Sequence, residues 1–258
     1  MQVVDVRAGS GADWIKEAWL LFRAQPLAWI SLLSVWLIVS FLMAQLPLGE
    51  YFLALAQPVF FAGFVLACRD QEMGKPVVLG YLLAGIKQIE GGASSTIALI
   101  QVGAVTLLAK TLLLMAIQAM GGLDGFEALR AIEPKDITRD MLLKTIEGSE
   151  LIWAGAILAT MILDGILWFT AALIAHQPMP ASHAIRWSFF AFISNFVPLL
   201  VFSVLMTLWF VVATLPLMLG MLVFFPVFAI VHYTSFKGVF RADADIAEDA
   251  VVGGTERN

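Results

Sequence analysis

The chain has 258 residues, of which 60% are hydrophobic and only 14% are charged, and its formal net charge is −5. A soluble domain is about 45–50% apolar and about 25% charged, and a globule of this size has too little interior to hide so much apolar surface. The composition excludes a soluble enzyme domain and a disordered chain, and the acidic balance argues against a nucleic-acid partner. We predict an integral membrane protein.

The first segment, residues 1–26, predicts a cytoplasmic N-terminus with one interfacial helix. Met1–Gly11 is polar and lacks the basic and apolar regions of a cleavable signal, so we expect the first span to be an uncleaved anchor. Asp13 is the predicted cap of the interfacial helix. Aromatic and basic side chains suit the headgroup level of a bilayer. The predicted interfacial anchors of the whole chain are Trp14, Trp19, Arg23 and Trp187.

Six windows are long and apolar enough to cross a hydrocarbon layer roughly 30 Å thick. They are Leu27–Leu46, Tyr51–Cys68, Ser95–Met120, Leu151–Ala175, Phe196–Leu215 and Pro216–Tyr233. Residues 27–236 are therefore predicted to form one all-α membrane domain, a polytopic bundle of six helices. The predicted helix breaks are Pro58, Pro198, Pro216 and Pro226. For Pro58, Pro198 and Pro226, a kink that the membrane helix tolerates is the alternative. At the tight connections Pro47–Glu50 and around Pro216, a re-entrant hairpin is the alternative.

The distribution of Lys and Arg predicts the orientation, because cytoplasmic loops hold the excess of positive charge. The two termini and the even-numbered connections carry ten of these residues, and the remaining connections carry four. Both termini, including the tail 237–258, are therefore predicted to be cytoplasmic. The acidic connection 121–150 then lies on the other side, and Glu133-Pro134 separates its two short helical patterns. It is either a docking surface or cation-attracting cap outside the membrane, or a solvated helical hairpin on the bilayer.

A repeated layout is visible along the chain. Segments rich in aromatic or small residues precede the first, third and fifth spans, the later two being Val77–Glu90 and Ala181–Asn195. Similar proline steps recur in the first and last hairpins, such as Pro58-Val59-Phe60 and Pro226-Val227-Phe228. We interpret the chain as three units of interfacial helix plus two-span hairpin, an arrangement that transporters often use. Chance alignment of apolar segments is the alternative.

Several short motifs carry a family resemblance. They are Trp19, the run Phe22-Arg23-Ala24-Gln25-Pro26-Leu27-Ala28-Trp29, the step from Asn195 to Pro198, and Tyr233-Thr234-Ser235-Phe236. With these motifs the chain resembles an uncharacterised family of small proteobacterial inner-membrane proteins. More distantly, the layout is similar to the membrane domain of some glycerophosphodiester phosphodiesterases. The resemblance implies a six-span protein of the bacterial inner membrane and brings no established activity.

Two opposite charges stand inside predicted spans. Lys110 lies ten residues before the outer end of the third span, and Asp164 lies thirteen residues after the fourth span begins on the same side. At 1.5 Å per residue their depths differ by only about 5 Å, so an ion pair is within reach. Small and hydroxyl residues on the same helix faces permit close packing. These supporting residues are Gly103 and Thr106 for Lys110, and Thr160 and Ala171 for Asp164.

The ion pair is either a static contact that fixes helix register or part of a proton or ion relay. We find no catalytic constellation, no cofactor motif and no metal-ligand spacing, since the three histidines are scattered and Cys68 is the sole cysteine. The leading hypothesis is a non-enzymatic accessory or scaffold subunit, or a membrane-organising factor, with the bilayer and a partner subunit as its contacts. A small ion-coupled transporter is the second hypothesis, and a membrane-embedded lipid enzyme is the third.

Overall fold

The structure is a computed structural model that describes residues 2–130, 132, 137–145, 147–215 and 217–241. A 3₁₀ helix, Leu79–Leu83, precedes α4. In chain order the other elements are β1 Gln2–Val3, α1 Ser10–Ala24, α2 Pro26–Ala44, α3 Gly49–Glu72, α4 Ala84–Lys87, α5 Ala93–Ala119, α6 Asp124–Arg130, α7 Arg139–Thr145, α8 Glu150–Leu167, α9 Thr170–His176, α10 Ala181–Ser194, α11 Phe196–Thr214, α12 Met221–Val239 and β2 Phe240–Arg241.

Six spans are long and apolar enough to cross a membrane among the described residues, namely α2, α3, α5, the α8–α9 segment, α11 and α12. The predicted all-α polytopic bundle is therefore confirmed. The helices α3 and α12 extend beyond the predicted ends at Cys68 and Tyr233, because the polar residues that follow remain helical and find partners in the fold. The last span begins at Met221, and Pro216 lies outside the described residues.

The chain divides into two compact units. Unit 1 comprises the chain up to Gly103 and from Ile166 onward, and unit 2 comprises Ala104–Gly165. In unit 1 the same packing occurs three times. The 3₁₀ helix and α4 pack on α3, α10 packs on α9, and α1 packs on α12. Each time, a short segment covers the helix that ends one of the predicted hairpins.

The helix α1 shows why this packing forms. Trp14, Ala18 and Phe22 recur every four residues, so they share one buried face. A Cβ on Gly11 would overlap the Pro198 carbonyl oxygen, so the absent side chain lets α1 approach the backbone of α11. The Thr234 hydroxyl of α12 donates to the Trp14 carbonyl oxygen at 2.9 Å. The predicted interfacial helix is thus a packed part of the core.

The N-terminal strand is fastened to the same region. Gln2 and Val3 pair antiparallel with Phe240 and Arg241. The fully buried Asn195 side chain accepts a hydrogen bond from the Val6 backbone N–H at 3.0 Å and donates to the Val4 carbonyl oxygen at 3.1 Å. The step between α10 and α11 therefore anchors the start of the chain.

In unit 2 the turn after α5 and the helix α6 pack against the start of α8. The Trp153 indole N–H donates to the Gly122 carbonyl oxygen at 3.1 Å, and its ring meets the edge of Phe126. A Cβ on Gly125 would overlap the Thr145 carbonyl oxygen, so α6 and α7 lie close together. The two predicted short helical patterns are these two helices, and Glu133-Pro134 lies outside the described residues.

Two predictions about helix ends are wrong. Asp13 does not cap α1, because the helix begins at Ser10 and the Asp13 carboxylate binds Lys16 and Arg7 instead. Pro58 and Pro226 lie inside continuous helices, and Pro198 lies in the first turn of α11. A proline in the first turn of a helix removes no helical hydrogen bond. An internal proline removes one, and membrane helices tolerate that loss.

Candidate functional site

The two charges inside the spans of unit 2 contact each other. Lys110 Nζ of α5 lies 2.9 Å from Asp164 Oδ1 of α8. The Lys110 side chain is nevertheless 43% exposed and the Asp164 side chain 49% exposed. Each charged group therefore has an opposite charge within the chain, while nearly half of each side chain is left uncovered by the chain's own atoms. The pair is thus made within the chain and stays partly exposed, and its role in helix register or in a relay stays a prediction.

The four predicted supporting residues have different surroundings. Gly103 allows α5 to approach the backbone of α3, since a Cβ there would meet Leu55. Thr106 is partly buried on α5, and the Thr160 hydroxyl donates to the Ala156 carbonyl oxygen at 2.9 Å within α8. Ala171 does not support Asp164, because the helix is interrupted between them and Ala171 is buried in unit 1. That part of the prediction is wrong.

The interruption lies at Trp168-Phe169, between α8 and α9. The fully buried Ser188 hydroxyl of α10 satisfies both sides of the break. It accepts a hydrogen bond from the Phe169 N–H at 3.1 Å and donates to the Ile166 carbonyl oxygen at 2.6 Å. A broken helix in a membrane persists only where other groups replace the lost backbone bonds. The sequence offers no proline here, so the break could not be located from composition.

An aromatic cluster surrounds this break in unit 1. Trp168 stacks on His232 of α12 with ring centroids 3.7 Å apart, and its indole N–H donates to the Ser235 hydroxyl at 2.9 Å. Phe61 packs on the His232 ring, and Phe202 packs on the Trp168 ring. His232 Nδ1 lies 3.1 Å from the Phe228 carbonyl oxygen. His232 is thus packed among the aromatic rings of Trp168, Phe61 and Phe228.

A polar network surrounds the last turn of α3. Asp70 is only 8% exposed, and its Oδ2 accepts hydrogen bonds from the Tyr81 hydroxyl at 2.8 Å and pairs with Lys75 Nζ at 3.2 Å. Arg69 Nε lies 3.8 Å from the other carboxylate oxygen. Burial and the adjoining Asp70 carboxylate raise the pKa of Tyr81 to about 12, from an ordinary value of 10.0. The carboxylate therefore holds the 3₁₀ helix against α3.

The next two residues extend the network to three more helices. Gln71 accepts a hydrogen bond from the Trp29 indole of α2 at 2.8 Å and donates to the Leu21 carbonyl oxygen of α1 at 2.7 Å. Glu72 accepts from the Tyr233 hydroxyl at 2.6 Å and pairs with Lys237 at 2.7 Å, both on α12. Each contact joins two elements, so the network fixes the helix ends of unit 1.

Sequence reasoning missed this network, although a signal exists. The predicted second span ends at Cys68, and Arg69 enters only the count of positive charges. Four consecutive polar residues, Arg69 to Glu72, follow the charge-free window directly. One turn of helix displays four such side chains in four directions, which is what a hub between several helices requires.

The predicted interfacial anchors differ in how exposed they are. Trp19 and Trp187 are exposed, as is Arg23, and they stay predicted anchors. Trp14 is 3% exposed and packs against Gly238, so its ring does not reach a headgroup. Its alternative role is to bury α1 against α12. Among the described residues, no group of three or more His, Cys, Asp or Glu side chains is placed to hold a metal ion.

Comparison with known proteins gives a location. The chain is 28% identical over 217 residues to a probable inner membrane protein of Burkholderia thailandensis. The aligned region covers 83% of this chain and 77% of that protein. No family model matches the chain. No solved structure matches it either. Together with the six spans, the relative supports a multi-pass protein of the bacterial inner membrane, and the similarity to the phosphodiesterase membrane domain stays a prediction.

Proposed function

We propose that this inner-membrane protein is a non-enzymatic accessory or scaffold subunit that binds another protein within the bilayer through the surface of unit 2 around Lys110 and Asp164. The observation that carries the proposal is the exposure of an ion pair inside two spans. The chain's own atoms leave the Lys110 side chain 43% and the Asp164 side chain 49% uncovered. We call this surface the ion-pair face.

Lipid is a poor neighbour for such a face. A charged side chain at the centre of a bilayer costs about 2.5 kcal/mol or more, and pairing offsets only part of that cost when hydrocarbon touches both groups. A protein surface that brings hydrogen-bonding groups to the pair removes the remaining penalty. Association through the ion-pair face is therefore favoured in lipid, where the hydrophobic effect does not drive helices together.

The test is photo-cross-linking in the inner membrane. A photoreactive amino acid replaces Met161, which lies on the same face of α8 as Asp164, or Leu208 on α11 as the matched exposed control in unit 1. We expect protein adducts at position 161, lost in the double variant Lys110→Leu/Asp164→Leu, and none that depend on this pair at position 208. Adducts to lipid alone at position 161 would refute the proposal.

The interruption at Trp168-Phe169 favours a second candidate, a small proton- or ion-coupled transporter. The break follows Asp164 by one helical turn, and transporters place coupling groups beside discontinuous helices. Purified protein in vesicles loaded with a pH-sensitive dye tests it under an imposed potassium diffusion potential. Proton entry that is present in the wild type and lost in Lys110→Leu/Asp164→Leu supports transport. Equal dye signals in both rule out the relay.

We also propose an orientation of the chain in the membrane. Both termini are cytoplasmic, because the positive charges accumulate on that side of the predicted map. The segment that joins α5 to α8 then lies outside the cytoplasm. Alkaline phosphatase fused after Leu123 is expected to be active, since the enzyme matures only outside the cytoplasm. An inactive fusion would invert the map.

A further inference from the structure

We infer that the partner on the ion-pair face is a second copy of this chain, so that Lys110 of one copy meets Asp164 of the other inside the bilayer. The inference rests on the proposed function, since it names the protein that the face binds. Copies inserted in the same orientation are related by a two-fold axis along the membrane normal. Rotation about this axis leaves the depth of every atom unchanged.

Depth and charge make the face complementary to itself. Lys110 and Asp164 lie at one level, because their charged atoms are 2.9 Å apart. Rotation therefore brings the lysine of one copy to the level of the aspartate of the other. Four charges of alternating sign result, and each ion gains a second opposite neighbour. A different partner would have to bring its own polar groups to this same depth, whereas a second copy does so by symmetry.

The apolar neighbours extend the same face above the charges. Leu114 is 51% exposed and follows Lys110 by one helical turn, while Met161 is 50% exposed and precedes Asp164 by just under one turn. Since α5 and α8 run in opposite directions along consecutive spans, Leu114 and Met161 reach similar depths. In the pair of copies, the leucine of one chain therefore faces the methionine of the other.

Disulfide trapping between distinguishable copies tests this contact. Two full-length chains of different mass are co-expressed in the Cys68→Ala background, one with Leu114→Cys and one with Met161→Cys. Because each copy holds a single cysteine, a mixed disulfide forms only between copies. We expect a mixed dimer after oxidation of the membranes with copper phenanthroline. Leu112→Cys, equally exposed but turned about 200° from Lys110, replaces Leu114→Cys as the control and gives none.

Charge exchange between copies supplies a second, independent readout. A copy with Lys110→Asp carries two aspartates on the face, and a copy with Asp164→Lys carries two lysines. Each variant alone should lose the trapped dimer, because like charges meet. Co-expression of the two should restore it as a mixed dimer. Restoration in the mixed sample also shows that both variants fold, since a misfolded copy cannot form the mixed dimer.

The outcomes separate the two proposals. Trapped dimers at Leu114 and Met161 with restoration by charge exchange support the second copy. Protein adducts at position 161 that contain other chains, with no trapped dimer, overturn the second copy and leave the accessory role standing. Lipid adducts alone overturn both. A dimer that forms equally well with Leu112→Cys overturns the proposed face, because the contact then does not require the side of α5 that carries Lys110.

Discussion

Charged side chains are treated differently in the two units. In unit 1, Asp70 is 8% exposed and has partners from two other segments, Tyr81 and Lys75. In unit 2, Lys110 and Asp164 pair with each other, and nearly half of each side chain is exposed. The first arrangement fastens elements of one chain. The second leaves binding capacity unused at the membrane interior, so unit 2 is where a partner is expected.

Breaking the ion pair from one side is expected to have the largest effect. Lys110→Leu leaves Asp164 charged inside a span, and an unpaired aspartate there costs about 3 kcal/mol. The double variant Lys110→Leu/Asp164→Leu removes both charges and should recover most of that loss. The fraction of chain extracted from membranes as a monodisperse species measures both. A single variant as well recovered as the double would mean that water reaches Asp164.

Close helix contact provides the next test of the difference between units. A Cβ on Gly63 of α3 would overlap the Tyr81 carbonyl oxygen, whereas a Cβ on Gly155 of α8 meets nothing within 4 Å. Gly63→Ala should therefore destabilise unit 1 by about 1–3 kcal/mol through forced separation of backbones.

Gly155→Ala is the matched control for that substitution. It should be neutral or stabilising by up to about 1 kcal/mol, because alanine favours helix over glycine. Thermal unfolding of the detergent-solubilised protein, followed by tryptophan fluorescence, compares the two. If Gly155→Ala lowers the unfolding temperature as much as Gly63→Ala, its open position is filled in the assembled protein.

Hydropathy predicts the spans well and their tertiary partners poorly. The length of each apolar run sets the six helices, and the intramembrane positions of Lys110 and Asp164 indicate their contact in advance. The positions of helix breaks, by contrast, could not be predicted from the sequence. Pro58 and Pro226 predict interruptions but lie in continuous helices, while the actual interruption at Trp168-Phe169 depends on Ser188, a residue of another helix. Such a contact leaves no local signal.

Burial of α1 is the other feature that the sequence alone could not decide. An amphipathic segment with Trp14 and Trp19 suits either a headgroup layer or a protein surface. The choice depends on whether another helix offers a matching surface, here α12 with Gly238 beside the Trp14 ring. Periodicity identifies the apolar face, but only the fold identifies what covers it.

The hydroxyl that spans the helix break is expected to have a moderate effect. Ser188→Ala leaves the Phe169 N–H and the Ile166 carbonyl oxygen without this partner at a buried position, at a cost of about 2 kcal/mol. Ser203→Ala on α11 is the control, since that hydroxyl only bonds back to Leu199 within its own helix. Unfolding in detergent should show a clear loss for the first and little for the second. Equal losses would argue against the bridging role.

The smallest expected effect concerns the Tyr81–Asp70 contact of unit 1, and it carries a pH signature. Tyr81→Phe removes one hydrogen bond to a carboxylate that Lys75 still contacts, so we expect a loss of about 1 kcal/mol at neutral pH. Because the pKa of Tyr81 is raised to about 12 from 10.0, the folded chain holds the proton more tightly than the unfolded chain does.

The stability from this contact is therefore complete below pH 10 and is lost as the pH rises towards 12. Unfolding temperatures of wild type and Tyr81→Phe, measured from pH 8 upward, should converge over that range. Tyr51→Phe, at the exposed opposite end of α3, should follow the wild type throughout. A constant gap between wild type and Tyr81→Phe across this range would mean that Asp70 does not hold the tyrosine proton.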